Sequence, residues 1–284
     1  MNAAFTSWQA ELALQFSRPT AQRSVLSRRH HQGPLLIQKA LYPEGPSICH
    51  VTLLHPPSGI AGGDELHIDI QLHEGAHAVL ANTGATRWYK ANGQRASQHI
   101  HLQAASQSTL EWLPCENLLF EQANAYSTTH LHLTSGARSI GWEYFQLGSV
   151  LQDGNWLEGQ FYSQLEVQID GQLFWLDQAD FDAQDPIRFS SNGLHHFPMH
   201  GTLWAYGPPL SADDYEQFAQ SLPWKAVLQA GVTQLVVDPQ QSLYVVRVLA
   251  NHAEDVKALF IQLWRWLRPR ILNTPAQDLR LWAT

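Results

Sequence analysis

The segment His73-Glu74-Gly75-Ala76-His77 has the residue types and spacing of a known metal site. It matches H-E-x-x-H, in which two histidines bind zinc and the glutamate acts as a general base. That chemistry needs a helix, because residues four apart then share one face. Residues 66–73 instead alternate apolar and polar side chains, and a glycine costs about 1 kcal/mol in a helix interior. We expect a hairpin over residues 66–83 with a tight turn at this segment. A zinc-dependent hydrolase is the alternative function.

Two pairs of histidines, His99 with His101 and His130 with His132, are each separated by one residue. On a strand this spacing places both imidazoles on one face, where they could bind nickel or zinc. Both pairs lie on the polar side of amphipathic runs, where glutamine or threonine would serve equally well. We therefore expect a solvated sheet face rather than a set of metal ligands.

A proline- and glycine-rich loop over residues 53–64 ends at Asp64. Its prolines restrict the backbone, and its glycines allow tight or left-handed turns. Asp64 is then either the cap of an Asx-type loop or a carboxylate held in place for a hard or borderline cation. Motifs for a serine nucleophile, a phosphate-binding loop or dinucleotide binding do not occur in the sequence.

Alternation of apolar and polar residues with period two dominates the chain and predicts a mainly β fold. Residues 164–169 alternate and then meet Asp170-Gly171, a dipeptide that favours a hairpin turn. A second pair of strand-like runs flanks residues 238–241.

Only two segments have helical patterns. The first begins at Ser211, a residue that favours the N-cap position. The second extends from about Asn251, a candidate cap, to Leu267, with Pro269 as the expected stop. No internal repeat or linker divides the chain, so we expect one domain over residues 1–284.

The composition predicts a surface that contacts other proteins. Of the 284 residues, 44% are apolar and only 15% are charged, whereas roughly 25% charged residues are typical of soluble domains. So few charges predict an exposed apolar patch, which usually marks a protein interface. The eleven tryptophans also leave open a carbohydrate-binding β-module, which would need them exposed in one groove.

Several other classes of protein are disfavoured. The formal net charge of −8 argues against nucleic-acid binding. The two cysteines, Cys49 and Cys115, provide neither a disulfide framework nor a CxxC motif. The N-terminus lacks the features of a signal peptide, and no run reaches the ~20 apolar residues of a membrane span. We expect a cytoplasmic protein with no membrane or nucleic-acid partner.

Seven short strings follow one another along most of the chain. They are residues 31–35 (HQGPL), 38–45 (QKALYPEG), 55–64 (HPPSGIAGGD), 75–78 (GAHA), 82–89 (NTGATRWY), 110–114 (LEWLP) and 267–274 (LRPRILNT). In this order and spacing they resemble the urease accessory protein UreD (UreH) family. Two residues depart from the family pattern: Ser58 stands where glycine is expected, and Cys115 where glutamine is more usual.

The resemblance implies a mostly β architecture of stacked, β-helix-like sheets with two α-helices. It also implies a non-catalytic scaffold that assembles with UreF and the GTPase UreG and docks on apo-urease. Proteins of this family are thought to offer a polar internal path along which nickel reaches the urease site. We therefore expect nickel to bind transiently and no cofactor to be held tightly, because a conduit must release the ion.

Four residues are candidates for such a path: Asp64, Thr83, Thr86 and Glu143. Asp64 ends the restricted loop, and the two threonines flank small residues that leave room for a hydrated ion. Glu143 lies in a largely apolar run, so its carboxylate is paired, exposed or facing a wet interior, because an unpaired dry charge is costly.

Arg268 and Arg270 follow the second predicted helix. Arginines near a helix C-terminus interact favourably with its dipole. These two residues are therefore candidates either for binding a partner protein or for seating the last helix.

Overall fold

A computed structural model describes residues 7–149 and 155–283. Strands make up about half of the described residues and outweigh the helices, as the alternating pattern predicts. In chain order the strands β1 to β19 are Gln9–Thr20, Arg23–Gln32, Leu36–Ile37, Cys49–Leu54, Gly59–Ile60, Glu65–Leu72, His77–Asn82, Thr86–Trp88, Ala96–Ala104, Thr109–Trp112, Asn117–Leu119, Asn124–Leu133, Arg138–Leu147, Gln160–Ile169, Gln172–Asp182, Met199–Gly207, Trp224–Lys225, Leu228–Asp238 and Gln241–Ala250. The helices are α1 (Ala212–Ser221), α2 (Ala253–Leu267), two 3-10 turns (Pro186–Arg188 and Arg280–Ala283) and a π-helical turn (Arg268–Leu272).

The strands form two sheets that face each other across an apolar core. The seven-stranded sheet has the order β15-β14-β12-β9-β6-β1-β2. The twelve-stranded sheet has the order β17-β18-β19-β16-β13-β10-β7-β4-β3, and the short strands β5, β8 and β11 pair beside it. Inward side chains of both sheets, such as Ile68, Leu102 and Leu110, belong to one buried cluster.

The chain winds between the two sheets as a stack of coils. It passes from β6 to β7, from β9 to β10 and from β12 to β13, each time leaving one sheet for the other, and neighbouring coils pair in parallel. Ile68 lies in register with Ile100, and Ile100 with Thr129, so successive coils are offset by 32 and then 29 residues. The β-helix-like stack of sheets with two α-helices is therefore confirmed. A single domain over residues 1–284 remains a prediction.

The expected hairpin over residues 66–83 is wrong. β6 belongs to the seven-stranded sheet and β7 to the twelve-stranded sheet, so the turn between them joins two sheets rather than two paired strands. It stacks on the equivalent turns of the next coils, because Gly75 N–H donates to Ser106 O and Gln107 N–H to Gly136 O. Gly75, Gln107 and Gly136 all have positive φ, at 70°, 59° and 82°. Period-two alternation shows that two strands flank a turn but not which sheet each one joins.

Two antiparallel hairpins are confirmed. Strands β14 and β15 pair around Asp170-Gly171, whose φ values of 49° and 77° suit a type I′ turn. Strands β18 and β19 pair on either side of residues 238–241. The β14–β15 hairpin forms one edge of the seven-stranded sheet. The β18–β19 hairpin extends the twelve-stranded sheet beyond its parallel strands.

The two helices cover the outer face of the twelve-stranded sheet. Ser211 caps α1 as predicted, since its side chain accepts a hydrogen bond from Asp214 N–H. The N-cap of α2 is His252 rather than Asn251. Pro269 does not stop the chain at once but lies within the π-helical turn, which ends at Asn273 with a left-handed φ of 53°. Among the described residues, no helix has both the length and the hydropathy needed to cross a bilayer.

Candidate functional site

A row of polar side chains crosses the apolar space between the sheets. Gln98, Ser127 and Ser163 take inward positions on β9, β12 and β14, and all three are buried. They lie side by side because Ser127 pairs in register with both Gln98 and Ser163. Thr129 lies two residues further along β12 and is fully buried. These four residues are the polar row, and they interrupt a face whose other inward positions are mainly apolar.

Glu143 meets this row from the opposite sheet. It lies on β13, is 8% exposed, and accepts a hydrogen bond at Oε2 from Thr129 Oγ1 at 2.8 Å. Burial raises the pKa of Glu143 to about 8; the Thr129 hydrogen bond opposes this shift and the nearby Asp177 charge adds to it. The carboxyl therefore retains its proton at pH values where an exposed glutamate is charged. A cation that bound here would displace that proton.

Three of the four predicted path residues line one cavity. This central cavity, of about 290 Å³, lies between the sheets and is lined by Thr83, Thr86, Glu143 and the polar-row residues Gln98 and Ser127. Gly84 and Ala85 form the wall between the two threonines. Its polar lining consists mostly of hydroxyl, amide and carboxyl oxygens, which are weak ligands for a borderline cation.

A second cavity, of about 520 Å³, opens at the far side of Glu143. This edge cavity is lined by Glu143, Ser163, Asp177, His200 and Thr202, among others. Asp177 Oδ2 accepts a hydrogen bond from Thr202 Oγ1 at 2.9 Å and lies 3.4 Å from Arg247 Nε. Glu143 thus belongs to the walls of both cavities, with the polar row running beside it.

His200 is the most unusual side chain of the edge cavity. Both of its ring nitrogens are buried and have no hydrogen-bond partner among the described residues. Burial lowers the pKa of His200 to about 4, so the ring is neutral at neutral pH. A neutral imidazole with free nitrogens is competent to accept a proton or to bind a metal ion.

Asp64 lies beside the central cavity but is not part of its wall. Its Oδ1 accepts a hydrogen bond from Trp8 N–H at 2.7 Å, and its Oδ2 from Ala61 N–H at 2.8 Å. His55, which does line the cavity, is close enough to Asp64 to be influenced by its charge, although burial lowers the pKa of His55 overall. The carboxylate therefore caps the proline-glycine loop, and any part in a nickel path remains a prediction.

Cys115 also lines the central cavity. Burial and the neighbouring Glu116 charge raise the pKa of its thiol to about 11, so the thiol is neutral at physiological pH. Since the thiolate is the form that binds metals strongly, this cysteine adds no strong ligand to the cavity.

Arg268 is completely buried and holds the end of α2 against the twelve-stranded sheet. Its guanidinium pairs with Glu111 at 3.0 Å and also with Glu44, and it lies over the Trp264 ring at 4.8 Å from the centroid. Glu111 in turn accepts hydrogen bonds from Trp264 Nε1 at 2.7 Å and pairs with His77 Nε2 at 2.8 Å. This geometry is that of a residue that seats the last helix, and it leaves Arg268 no surface for a partner.

Arg270 is partly exposed. Its guanidinium stacks over Trp266 at 4.0 Å from the ring centroid, and its Nε lies 3.3 Å from Asp214 Oδ1. Of the two arginines proposed for partner binding, Arg270 is the one with accessible surface.

The H-E-x-x-H segment does not have the geometry of a zinc protease. His73 is exposed in the turn between the sheets, whereas His77 begins β7 and pairs with buried Glu111. The helix on which that motif depends is absent from the described residues 73–77. The structure therefore gives no support to a hydrolase built on this segment.

Apolar side chains are exposed at several places, and a continuous apolar patch among them stays a prediction. They include Trp8, Leu41, Leu157, Leu173, Leu176, Ile187, Phe189, Trp224, Val227 and Val236. Trp224, 77% exposed, and Ile187, 42% exposed, both lie on the wall of the edge cavity. Six of the eleven tryptophans are instead buried, at 88, 112, 142, 156, 204 and 264, and these six cannot serve as the exposed rings that a carbohydrate-binding module needs.

Several site residues were not predicted from the sequence: the polar row, Asp177 and His200. His200 had a usable signal, because it is the one histidine in the largely apolar strand β16. The polar row had none, since serine and threonine are common on strands and their inward direction depends on the register of three coils.

Comparison with known proteins gives a consistent result. The sequence model of the family described as UreD urease accessory protein matches residues 9–283. A urease accessory protein UreD of Bordetella pertussis is 48% identical over 284 residues, covering 100% of both chains. Proteins of the same name from Ralstonia nicotianae and Polynucleobacter asymbioticus are 44% and 40% identical, over 99% and 98% of this chain and 96% and 94% of their own lengths.

Proposed function

This chain belongs to the UreD family of urease accessory proteins, and we propose that it acts in the cytoplasm as a non-catalytic scaffold with an internal path for nickel. In this proposal it joins UreF and UreG in one complex on apo-urease, and the ion passes through the space between its two sheets. Nickel is cargo, bound weakly and released, rather than a resident cofactor.

The observation that carries the proposal is the polar row beside Glu143. A sheet interface normally excludes unpaired polar groups, because their burial is costly. Here hydroxyl, amide and carboxyl groups join the wall of the central cavity to the wall of the edge cavity. Such groups lower the cost of a hydrated divalent ion inside an apolar core, and they lack the strength to trap it.

Glu143 is the expected control point of the path. Its raised pKa means that the empty site is mostly uncharged near pH 7, and an arriving cation would exchange with the proton. His200 and Asp177 then offer a neutral imidazole and a carboxylate in the edge cavity. A step from oxygen ligands to a mixed nitrogen and oxygen set suits an ion such as nickel, which accepts both.

The test is to block the path rather than to remove ligands. Thr86→Lys places bulk and positive charge in the central cavity, and Thr134→Lys makes the same change at an exposed turn that lines neither cavity. Each variant would be co-produced with the urease subunits and the other accessory proteins. Nickel content and activity of the urease would then be measured.

We expect Thr86→Lys to lower nickel loading at least tenfold while the accessory complex still assembles, and Thr134→Lys to load normally. Loading by Thr86→Lys at the wild-type level, with the complex intact, would exclude a path through the central cavity. Asp64→Lys is a poorer test, because it removes the acceptor of two backbone hydrogen bonds and would disturb the loop.

The exposed apolar side chains support a partner-binding role. Trp224 and Ile187 border the edge cavity, so a protein docked there would both cover apolar surface and meet the end of the path. Trp224→Glu should weaken capture of UreF from a mixture of the purified partners. Val236→Glu, at a position 69% exposed but outside the edge cavity, is the matched control.

A further inference from the structure

Histidines are concentrated on the outer face of the seven-stranded sheet, away from the interior path. Five of them lie on three neighbouring strands: His67, His99, His101, His130 and His132. The parallel register aligns His67 with His99, and His101 with His130. Their rings stack in pairs, with centroids 4.9 Å and 5.0 Å apart. The coil repeat thus gathers residues that are far apart in sequence.

One group on this face combines two imidazoles with a carboxylate. Ligand atoms of Glu65, His67 and His99 all lie within 4.8 Å of one another. His67 Nε2 is 2.9 Å from Glu65 Oε1, and His99 Nδ1 is 2.9 Å from Thr128 Oγ1. The Thr128 contact fixes the orientation of the His99 ring and leaves its Nε2 for another ligand, as is common for metal-binding histidines.

A second group repeats this arrangement two strands further across the sheet. Ligand atoms of His130, His132 and Glu166 also lie within 4.8 Å of one another. As in the first group, two residues are spaced i, i+2 on one strand, and the third is the in-register neighbour on the next strand. His130 Nδ1 lies 3.6 Å from Glu166 Oε2. The same strand spacing and register thus bring three possible ligands together twice on this face. Such a repetition is less readily explained by chance than a single group would be.

We propose that each of these trios binds one borderline divalent cation, Ni²⁺ or Zn²⁺, on the outer face of the seven-stranded sheet. Imidazole nitrogen with one carboxylate oxygen is a ligand set that both ions accept. Three protein ligands leave coordination positions for water, so binding is reversible. These sites go beyond the proposed path, because the ligands point away from the two cavities and do not line them.

Neighbouring side chains hold one ring of each trio. Thr128 Oγ1 lies 2.9 Å from His99 Nδ1, and Glu166 Oε2 lies 3.6 Å from His130 Nδ1. Rings held in this way lose less conformational freedom when they bind a metal ion.

The test uses the purified full-length chain and NiCl₂ or ZnCl₂ alone, with bound metal counted by equilibrium dialysis. His67→Ala/His99→Ala should remove one equivalent of bound metal, and His130→Ala/His132→Ala should remove another. The variant with all four changes should lose both. His31→Ala/His73→Ala, which alters two exposed histidines outside the trios, should lose neither. Far-ultraviolet circular dichroism and the melting temperature check that each variant is folded.

Equal metal binding by the wild type and the folded variant with all four histidine changes would overturn the proposal. So would a loss of the same size in the His31/His73 control, which would indicate non-specific binding by exposed histidines. The proposed nickel path is tested separately from these sites. Thr86→Lys should still bind two equivalents of metal at the outer-face sites, whether or not it blocks nickel loading of urease. A result in which Thr86→Lys abolishes the outer equivalents would also contradict two independent sites.

Discussion

Glu111 and Glu143 lie on neighbouring strands of the twelve-stranded sheet, are both buried, and behave in opposite ways. Glu111 faces the helices, where Arg268, His77 and Trp264 Nε1 all contact its carboxylate. Glu143 faces the other sheet, where Thr129 is its hydrogen-bond donor. Burial alone would raise the pKa of both. His77 and Arg268 lower the pKa of Glu111 to about 2 despite this, whereas the pKa of Glu143 rises to about 8.

The difference separates a structural charge from one that is available for function. Glu111 is charged at all physiological pH values and saturated with donors, so it fastens α2 and the π-helical turn to the sheet. Glu143 has one donor and borders two cavities, so its carboxylate can change partners. A buried carboxylate without a cation is a poor contribution to stability, and its presence at this place fits a role in handling a cation.

The largest expected effect on stability comes from removing Arg268, the cation that pairs with Glu111. Arg268→Met leaves the buried carboxylates of Glu111 and Glu44 without their shared cation. Removing one partner of a buried ion pair typically costs about 3–5 kcal/mol, so we expect a loss of that order in the free energy of unfolding. Urea denaturation at pH 7 measures it. A decrease in the free energy of unfolding below about 1 kcal/mol would mean that water or His77 replaces the guanidinium. It would contradict the view that Arg268 fastens the helix through a buried ion pair.

Replacement of Glu143, which has Thr129 as its hydrogen-bond donor, should change the stability in the opposite direction. Glu143 has a folded-state pKa of about 8 against 4.5 for the unfolded chain, so between these values the folded state binds the extra proton. Stability from this residue therefore falls as the pH rises from 4.5 to 8. Glu143→Gln should remove this loss and stabilise the chain at pH 8, by on the order of 4 kcal/mol, with a change below about 1 kcal/mol at pH 5.

Glu111 gives the matching contrast. Its pKa is lowered to about 2, so its contribution is present above pH 4.5 and is lost as the pH falls toward 2. The Glu143 prediction is tested by urea denaturation of Glu143→Gln and the wild type at pH 5, 6, 7 and 8. These measurements show whether the stability of the wild type falls relative to the variant as the pH rises. A variant that is destabilised equally at every pH would show that Glu143 is a charged, paired group after all.

Much of the fold could be predicted from the sequence, and its limits have a physical cause. The alternation in residues 66–73, the turn at Asp170-Gly171 and the cap at Ser211 are local signals, and each is confirmed. The sheet to which β7 belongs is not local. It depends on coils about thirty residues long whose strands share inward and outward faces but no repeated sequence, and the hairpin over 66–83 was wrong for that reason.

The site divides in the same way. Small neighbouring residues and an isolated charge point to Thr83, Thr86 and Glu143, and the structure brings all three to one cavity. Arg268 and Arg270 follow the same helix in the sequence, yet the π-helical turn buries one and leaves the other partly exposed. No local pattern distinguishes them, since the difference comes from Glu44 and Glu111, more than a hundred residues away.

A smaller effect is expected at His77. His77 Nε2 lies 2.8 Å from the buried Glu111 Oε1, so His77→Ala removes one of several contacts to that carboxylate. Losing a hydrogen bond to a buried charged group costs about 1–3 kcal/mol, and the remaining Arg268 contact should keep the loss at the lower end. His73→Ala, at the exposed end of the same segment, is the control and should be neutral. A stoichiometric zinc ion lost from both variants would instead revive the zinc-site hypothesis.

The smallest effect on stability is expected at Arg270, and it decides whether the surface arginine has a role that the buried one lacks. The Arg270–Asp214 pair is partly exposed, and such pairs contribute at most about 1 kcal/mol, so Arg270→Ala should fold and melt much like the wild type. If Arg270 contacts a partner, affinity for the assembled UreF and UreG should fall by roughly five- to thirtyfold, the range of a 1–2 kcal/mol interface residue. Arg265→Ala is the matched control, because Arg265 is also an exposed arginine paired with an aspartate, Asp278, near the same helix end. Binding by surface plasmon resonance separates the outcomes. Equal affinity of both variants and the wild type would exclude Arg270 from the interface and leave it, like Arg268, a residue that acts within its own chain.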